Sequence, residues 1–172
     1  GDLTLDLGAE AMGATADVAG ILSAGQFMGR ADIAAADLAS LAGLTGQRLS
    51  GAVQVSASGV LTTDLATLDL NLSGETTDLD AGIPQIAPLL AGQGVFGGTI
   101  SRAEGGNFVA QGVSFATPGL RLVVDGQTDG AMVDADLGIT LPRIALIAPG
   151  LDGTGSVQAS VLRSAEGNLS LD

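Results

Sequence analysis

The sequence predicts an all-β protein, an elongated antiparallel β-sheet with a few short helices. Polar and apolar residues alternate with a period of two through most of the 172 residues, as in strands with one buried and one wet face. The 27 glycines provide frequent turns. Aromatic residues make up only 2% of the chain, so Ala, Leu, Val and Ile must form the apolar layer. That composition favours a long, thin sheet over a compact core.

The predicted strands follow one another with short breaks that contain Gly, Ser or Asn, the pattern of antiparallel hairpins. Alternation is already present in residues 1–7. The clearest later strands have their apolar residues at Leu49, Val53, Val55 and Ala57; at Leu68, Leu70 and Leu72; at Leu120, Leu122 and Val124; at Val133, Ala135, Leu137 and Ile139; and at Val157, Ala159 and Val161. Between Phe108 and Phe115 the parity slips near Gly112, which predicts a β-bulge.

Three segments break the alternation. Residues 35–43 have helical spacing, with Asp37 as a cap and Gly43 as the stop. Residues 83–92 and 141–150 are interrupted by prolines, and each predicts a short turn of helix or an irregular plug.

The three segments are also related to one another. Each leads through a Gly-rich turn into a strand that opens with small residues, and the matched glycines are Gly51, Gly98 and Gly155. The sequence therefore predicts loose repeats near 36–74, 85–126 and 143–172, stacked on a continuous sheet.

Both ends of the sequence resemble the middle of a sheet. The chain begins at Gly1 without a Met, and alternation extends to both termini. We therefore expect residues 1–172 to be a single, repeat-built segment of a longer protein.

The charge balance excludes some partners. The net charge is −13, with 19 acidic residues against 6 basic ones, all of them Arg. Binding of nucleic acid requires a basic patch, so no nucleic-acid partner is expected. The same balance argues against electrostatic docking on an anionic membrane surface.

The residue types that enzymes use most are missing. Without His or Cys the chain has no common general base, no thiol nucleophile and no ligand set for structural zinc. We therefore expect no enzyme and no catalytic residues.

Two further patterns are weak signals for a ligand. The pairs Asp78 with Asp80 and Asp134 with Asp136 share a strand face, but a solvated face or a turn explains them better than a Ca²⁺ site. Residues 92–97 match G-x-G-x-x-G, but a strand follows where a dinucleotide site requires a helix. We expect no metal and no cofactor.

The apolar side of the sheet must be covered by something. One alternative is a β-sandwich in which two inner faces cover each other. The other is an open trough covered by acyl chains or by another apolar segment, because an aliphatic lining suits ligands without hydrogen-bonding groups. Residue patterns alone leave both open.

Two phrases of the sequence resemble a known family. Residues 36–51 and 141–155 are similar to a phrase that recurs in the translocation-and-assembly-module B (TamB) family and its AsmA-like relatives. In that family a short apolar stretch leads into a strand that begins at Gly. The resemblance extends over essentially the whole chain as a style of repeat.

The resemblance implies a fold and a function. Such proteins are anchored in the inner membrane of Gram-negative bacteria by one N-terminal helix and cross the periplasm as a long U-shaped β-groove (a β-taco) with an apolar interior. They are implicated in moving phospholipid between the two membranes. With an Omp85-type outer-membrane barrel partner, they are also implicated in outer-membrane protein assembly and secretion. The anchor would lie outside this segment.

On this interpretation the apolar strand residues line the groove and hold phospholipid acyl chains. The expected lining residues are Val53, Val55, Leu68, Leu70, Leu72, Leu120, Leu122, Val124, Val133, Leu137, Val157 and Val161.

Two alternatives remain. An exposed edge strand would make the segment a module that binds proteins by β-augmentation. An acidic, Cys-free β-repeat also fits a structural adhesin or surface repeat, for which calcium-dependent folding would be expected.

Overall fold

The computed structural model describes residues 1–41, 49–164 and 169–171, except the side chains of residues 41, 169 and 171. These residues form eleven strands in one sheet, in which every strand pairs antiparallel with its neighbours in sequence. The strands are β1 (Leu3–Ala11), β2 (Ala14–Ser23), β3 (Gln26–Ala35), β4 (Ser50–Thr62), β5 (Leu68–Asp80), β6 (Gln93–Arg102), β7 (Phe108–Ala116), β8 (Arg121–Thr128), β9 (Val133–Leu141), β10 (Gly155–Arg163) and β11 (Leu169–Leu171).

The predicted fold class is confirmed. The protein is an all-β, open antiparallel sheet with a few short helical segments, and β1 and β11 are its two edges. The sandwich alternative is wrong, because all the described strands lie in a single sheet and only three of the described hydrophobic residues are buried, so no two sheet faces cover each other. Most breaks between strands are tight turns that return the chain beside the strand just completed, and the three longer breaks contain the short helical segments and also lead to the neighbouring strand.

The short helical segments lie at one end of the sheet. They are η1 (Leu38–Leu41) between β3 and β4, α1 (Ala87–Leu90) between β5 and β6, and η2 (Ile144–Leu146) between β9 and β10. We call this end the helical end. The opposite end has the connections 24–25, 63–67, 103–107 and 129–132, and we call it the hairpin end.

All three predicted helical segments exist, but they are shorter than the patterns that predicted them. Asp37 caps η1 as expected, since its Oδ1 accepts a hydrogen bond from the backbone N of Ala39 at 2.9 Å. The expected stop at Gly43 lies outside the described residues. None of the described helices reaches the length and apolar character that crossing a bilayer requires.

The expected bulge near Gly112 is confirmed. The pairing register of β7 with β8 shifts between Ala110 and Val113, and Gly112 has φ +57°, a left-handed conformation that favours glycine. The backbone N of Gly112 donates to Oδ1 of Asp125 on β8 at 2.6 Å, which pins the bulge to the next strand.

The expected opening of the second repeat is wrong. The predicted repeat matches Gly98 with Gly51 and Gly155 at the opening of a strand, but β6 begins at Gln93, so Gly98 lies in the middle of the strand. Gly51 and Gly155, by contrast, lie in the first two residues of β4 and β10. Glycine spacing misplaced the strand start because Gly94, Gly97 and Gly98 are all within β6.

Little of the molecule is buried. Among the described hydrophobic residues only Ala35, Leu89 and Leu90 are buried. The chain exposes 10603 Å², whereas a compact monomer of 16.8 kDa exposes about 7,600 Å². The excess follows from the single layer, which leaves both faces of the sheet in contact with solvent.

Candidate functional site: an uncovered apolar sheet face

The strand register places most of the apolar strand residues on one face. In antiparallel sheets directly paired residues point to the same side. One continuous series of pairs runs Leu7, Val18, Ala31, Ala57 and Leu72 across β1 to β5. A second series runs Phe115, Leu122, Ile139 and Val157 across β7 to β10. We call the side that contains both series the apolar face.

Eleven of the twelve residues that the sequence predicted as lining lie on the apolar face. They are Val53 and Val55 on β4; Leu68, Leu70 and Leu72 on β5; Leu122 and Val124 on β8; Val133 and Leu137 on β9; and Val157 and Val161 on β10. The twelfth, Leu120, precedes β8 and is half-buried in the turn with Thr117, whose backbone N donates to the Leu120 carbonyl at 2.8 Å.

The sequence reasoning missed other members of this face. They include Leu3, Leu5 and Leu7 on β1, Phe27 and Ile33 on β3, Phe96 and Ile100 on β6, and Phe115 on β7. On β1 the alternation alone was a sufficient signal. On β3 and β6 several positions on the apolar face are Gly or Ala, and these small residues obscure the alternation in the sequence.

No second layer covers the apolar face within the described residues. Its side chains are mostly half-buried by their neighbours in the sheet, and Leu7, Ile33 and Val157 remain 59%, 48% and 60% exposed. Exposed apolar surfaces this continuous are rare on monomeric proteins and mark sites of interaction.

Among the described residues, local cover of the sheet is found at the helical end. Leu89 and Leu90 of α1 are buried there, and Thr117 donates a hydrogen bond through Oγ1 to the carbonyl of Leu89. A Cβ added at Gly119 would lie 3.0 Å from both the Leu89 Cα and the Leu146 Cδ1. Helix α1, the turn that contains Gly119 and η2 are therefore in close contact along this end.

A buried hydroxyl lies at the same end. Thr76 of β5 is 4% exposed, and its Oγ1 has no hydrogen-bond partner among the described residues. The hydroxyl fits because the opposing residue is Gly94, where a Cβ would approach Oγ1 to 2.4 Å. The sequence reasoning did not identify Thr76, whose parity matches Leu68, Leu70 and Leu72 on β5.

Two of the phenylalanines lie over glycines on the apolar face. A Cβ at Gly74 would lie 2.2 Å from Cζ of Phe96, and a Cβ at Gly20 would lie 2.6 Å from Cζ of Phe27. Each ring therefore fills the space that a side chain on the neighbouring strand would need. Because the rings occupy the space above these glycines, they project less from the apolar face than they would over larger residues.

The opposite face, which we call the polar face, is held by hydrogen bonds between strands. Arg30 pairs with Asp32 at 2.5 Å, and the Ser56 hydroxyl donates to Asp32 Oδ1 at 2.5 Å. The bonds from Arg30 and Ser56 hold the pKa of Asp32 below its usual value. These contacts are exposed and contribute to strand register more than to stability.

A shallow depression of about 580 Å³ lies on the polar face across β8, β9 and β10. Its lining includes Arg121, Asp125, Asp136 and Gln158, with Gly138 between them. The depression is open and charged side chains line it, so it does not suit acyl chains.

The carboxylate pairs have structural partners. Asp78, with φ +48°, accepts a hydrogen bond from the backbone N of Gly92, and Asp80 accepts one from Gly82. On β9, Asp136 accepts a hydrogen bond from the Ser160 hydroxyl at 2.6 Å. Within residues 1–41, 49–164 and 169–171 no group of three or more acidic residues is placed to hold a metal ion.

No family model, curated protein or solved structure matches this chain.

Proposed function

We propose that this chain is a non-enzymatic segment of a periplasmic protein that carries phospholipid along its apolar face. The parent protein would be anchored in the inner membrane of a Gram-negative bacterium. It would assist outer-membrane protein assembly and secretion with an Omp85-type partner. The support for this setting is the resemblance of residues 36–51 and 141–155 to the TamB phrase.

The observation that carries the proposal is the apolar face itself. It continues across all the strands whose side chains are described, and no layer of the described chain covers it. The lining is mainly aliphatic, with Leu, Val, Ile and Ala in most strand positions, so it offers an acyl chain few competing hydrogen-bonding groups.

The mechanism needs no reacting residue. Moving an acyl chain through water costs about 0.8 kcal/mol for each exposed CH₂ group. A track that accepts each CH₂ group as it leaves a membrane removes most of this cost. The strands run perpendicular to the long axis of the sheet, so successive strands present similar rows of apolar side chains. An acyl chain can therefore shift along the sheet by one strand spacing, about 4.8 Å, at little cost in free energy.

Lipid capture is the direct test. We would purify the chain from a bacterial host and measure bound lipid by native mass spectrometry. Phospholipid bound in a defined ratio supports the proposal. A folded monomer that neither carries lipid nor takes it up from vesicles contradicts it.

Neighbouring residues on β8 provide a matched pair of variants. Leu122 lies on the apolar face and Val123 on the polar face, and both side chains are half-buried. Leu122→Asn should reduce lipid binding severalfold because it places an amide in the track, whereas Val123→Asn should leave lipid binding unchanged. Equal effects of the two substitutions would contradict the assignment of the apolar face as the lipid site.

The edge strand β1 favours a second candidate, a module that binds proteins by β-augmentation. Its nine residues contain neither Pro nor Lys, and its outer side has no partner strand among the described residues. Crosslinking from Asp6 to an outer-membrane protein, with no lipid bound to the chain, would favour this candidate. Ala9→Pro would then abolish the crosslink.

A further inference from the structure

The arginines are distributed unequally between the two faces. Among the described residues, Arg30 and Arg121 lie on the polar face and Arg143 lies in a connection. Arg102 and Arg163 lie on the apolar face, in the pairs Leu68 with Arg102 and Val133 with Arg163. Both are the last residues of their strands, at the hairpin end.

Arg102 is held in place by the strands and turns around it. Its guanidinium lies 4.6 Å from the centre of the Phe108 ring. Nε donates to the carbonyl of Gly106 and Nη1 to the carbonyl of Leu65, each at 3.2 Å. A guanidinium has five N–H donors, so three donors remain for a ligand.

No carboxylate of the described residues forms an ion pair with Arg102. The ion pair found in the described part of the chain is the one between Arg30 and Asp32. Asp64 lies close enough to Arg102 to interact with it electrostatically, but the Asp64 carboxylate accepts hydrogen bonds from residues of its own turn. Its pKa is lowered chiefly by the backbone N of Ala66, then by the Thr62 hydroxyl, and only in lesser part by Arg102.

Arg102 therefore combines a fixed cation with an apolar surround. Leu68 is its partner across the strand pair on β5, and Phe108, which is 38% exposed, is its partner on β7. A planar guanidinium with free donors is well suited to a phosphate, which it binds through paired hydrogen bonds. Among simple ligands, a phospholipid is the one that presents a phosphate at the end of an apolar chain.

We propose that Arg102 is the headgroup site of the lipid track, where its guanidinium binds the phosphate of a phospholipid whose acyl chains lie on the apolar face. This inference rests on the proposed lipid-carrying function. The net charge of −13 and the nearby Asp64 disfavour added negative charge, so the headgroup is zwitterionic, with its ammonium toward Asp64.

The test compares two lipids that differ only in the headgroup. Binding of a short-chain phosphatidylethanolamine is measured against the diacylglycerol with the same chains, which lacks the phosphate. The wild-type chain should bind the phospholipid about tenfold more tightly, the effect of a charge-assisted hydrogen bond. The preference should weaken at high ionic strength, while diacylglycerol binding should not.

Three substitutions locate the effect. Arg102→Gln should bind both lipids equally, and Arg121→Gln, on the polar face, should retain the wild-type preference. If Arg102→Gln does not fold, Arg102→Lys replaces it, since lysine keeps the charge but lacks the planar guanidinium. Its preference for the phospholipid should then lie between the wild-type preference and no preference. A preference that survives in Arg102→Gln or in folded Arg102→Lys at wild-type strength overturns the inference.

The outcomes separate the inference from the function on which it rests. If the wild-type chain binds both lipids equally, the headgroup site is wrong and the lipid track stands. If it binds neither lipid, the proposed function fails and the inference fails with it.

Discussion

Shortening a leucine should cost much less on the apolar face than under the helical segment. Leu70 on β5 and Leu89 on α1 are the two test positions, and each is replaced by Ala. Leu70 is half-buried and is paired with Gly59, which has no side chain, and with Ile100. Leu89 is 7% exposed and lies beside the turn that contains Gly119.

The difference in cost follows from what fills the space left behind. In a sealed core, Leu→Ala costs about 2–5 kcal/mol, because a cavity adds to the lost transfer energy. At Leu70 solvent enters the space, no cavity forms, and only part of the roughly 2 kcal/mol of leucine burial is lost. We therefore expect a loss of about 1 kcal/mol for Leu70→Ala and about 3 kcal/mol for Leu89→Ala.

Urea unfolding followed by circular dichroism measures both losses. With a slope of about 2 kcal/mol per molar urea, the expected midpoint shifts are about 0.5 M for Leu70→Ala and about 1.5 M for Leu89→Ala. The slope itself should stay constant, since neither substitution changes how much surface unfolding exposes.

One result would refute the reasoning. If Leu70→Ala costs as much as Leu89→Ala, or more, then the apolar face is a sealed core. The apolar side chains would then be structural and would no longer be available to an acyl chain.

The remaining predictions concern packing and pH. Gly74→Ala places a methyl group against the Phe96 ring and should destabilise the sheet by about 1–3 kcal/mol. Gly138→Ala is its control, because the nearest atom to the added Cβ is 4.0 Å away, and a comparable loss there would contradict the packing argument. Hydrogen bonds from the backbone N atoms of Met132 and Ala131 lower the pKa of Asp129. The ionised carboxylate therefore adds to the free energy of unfolding. This contribution is complete above about pH 3.9, the usual unfolded pKa, and is lost as pH falls through the lower folded pKa. Asp129→Asn should make the unfolding midpoint fall less steeply between about pH 4 and pH 2, and an unchanged slope would show that the carboxylate does not act this way.

Much of the fold could be predicted from the sequence because strand alternation is a local signal. Leu68, Leu70 and Leu72 repeat every second residue, and the strand geometry converts that period directly into one face. The start of β6 could not be predicted, because Gly94, Gly97 and Gly98 read as turn residues although they lie within the strand. Those glycines are used for close contacts with neighbouring strands, such as Gly94 with Thr76, which a local pattern does not show.

The candidate site was predicted in part for the same reason. Alternation identified Val55 and Leu122, but it carries no information about which strands lie side by side. The sequence gives no signal for Arg102, because the arginines are spread along the chain and form no cluster. Its contact with Phe108 on the next strand, and its bonds to the carbonyls of two different turns, exist only after the strands have paired.

By itself the sequence determined that the chain forms strands, that each strand has an apolar side, and that catalytic His and Cys are absent. Whether those apolar sides would meet in a sandwich or stay open depended on how the strands associate, because both arrangements need the same alternation. The tertiary structure decided for one sheet: each described strand pairs with its immediate neighbours in sequence, and none of the described strands lies in a second layer. The apolar face is therefore uncovered for a physical reason: the described strands already satisfy one another's backbone hydrogen bonds side by side, and no strand remains among them to cover their apolar side chains.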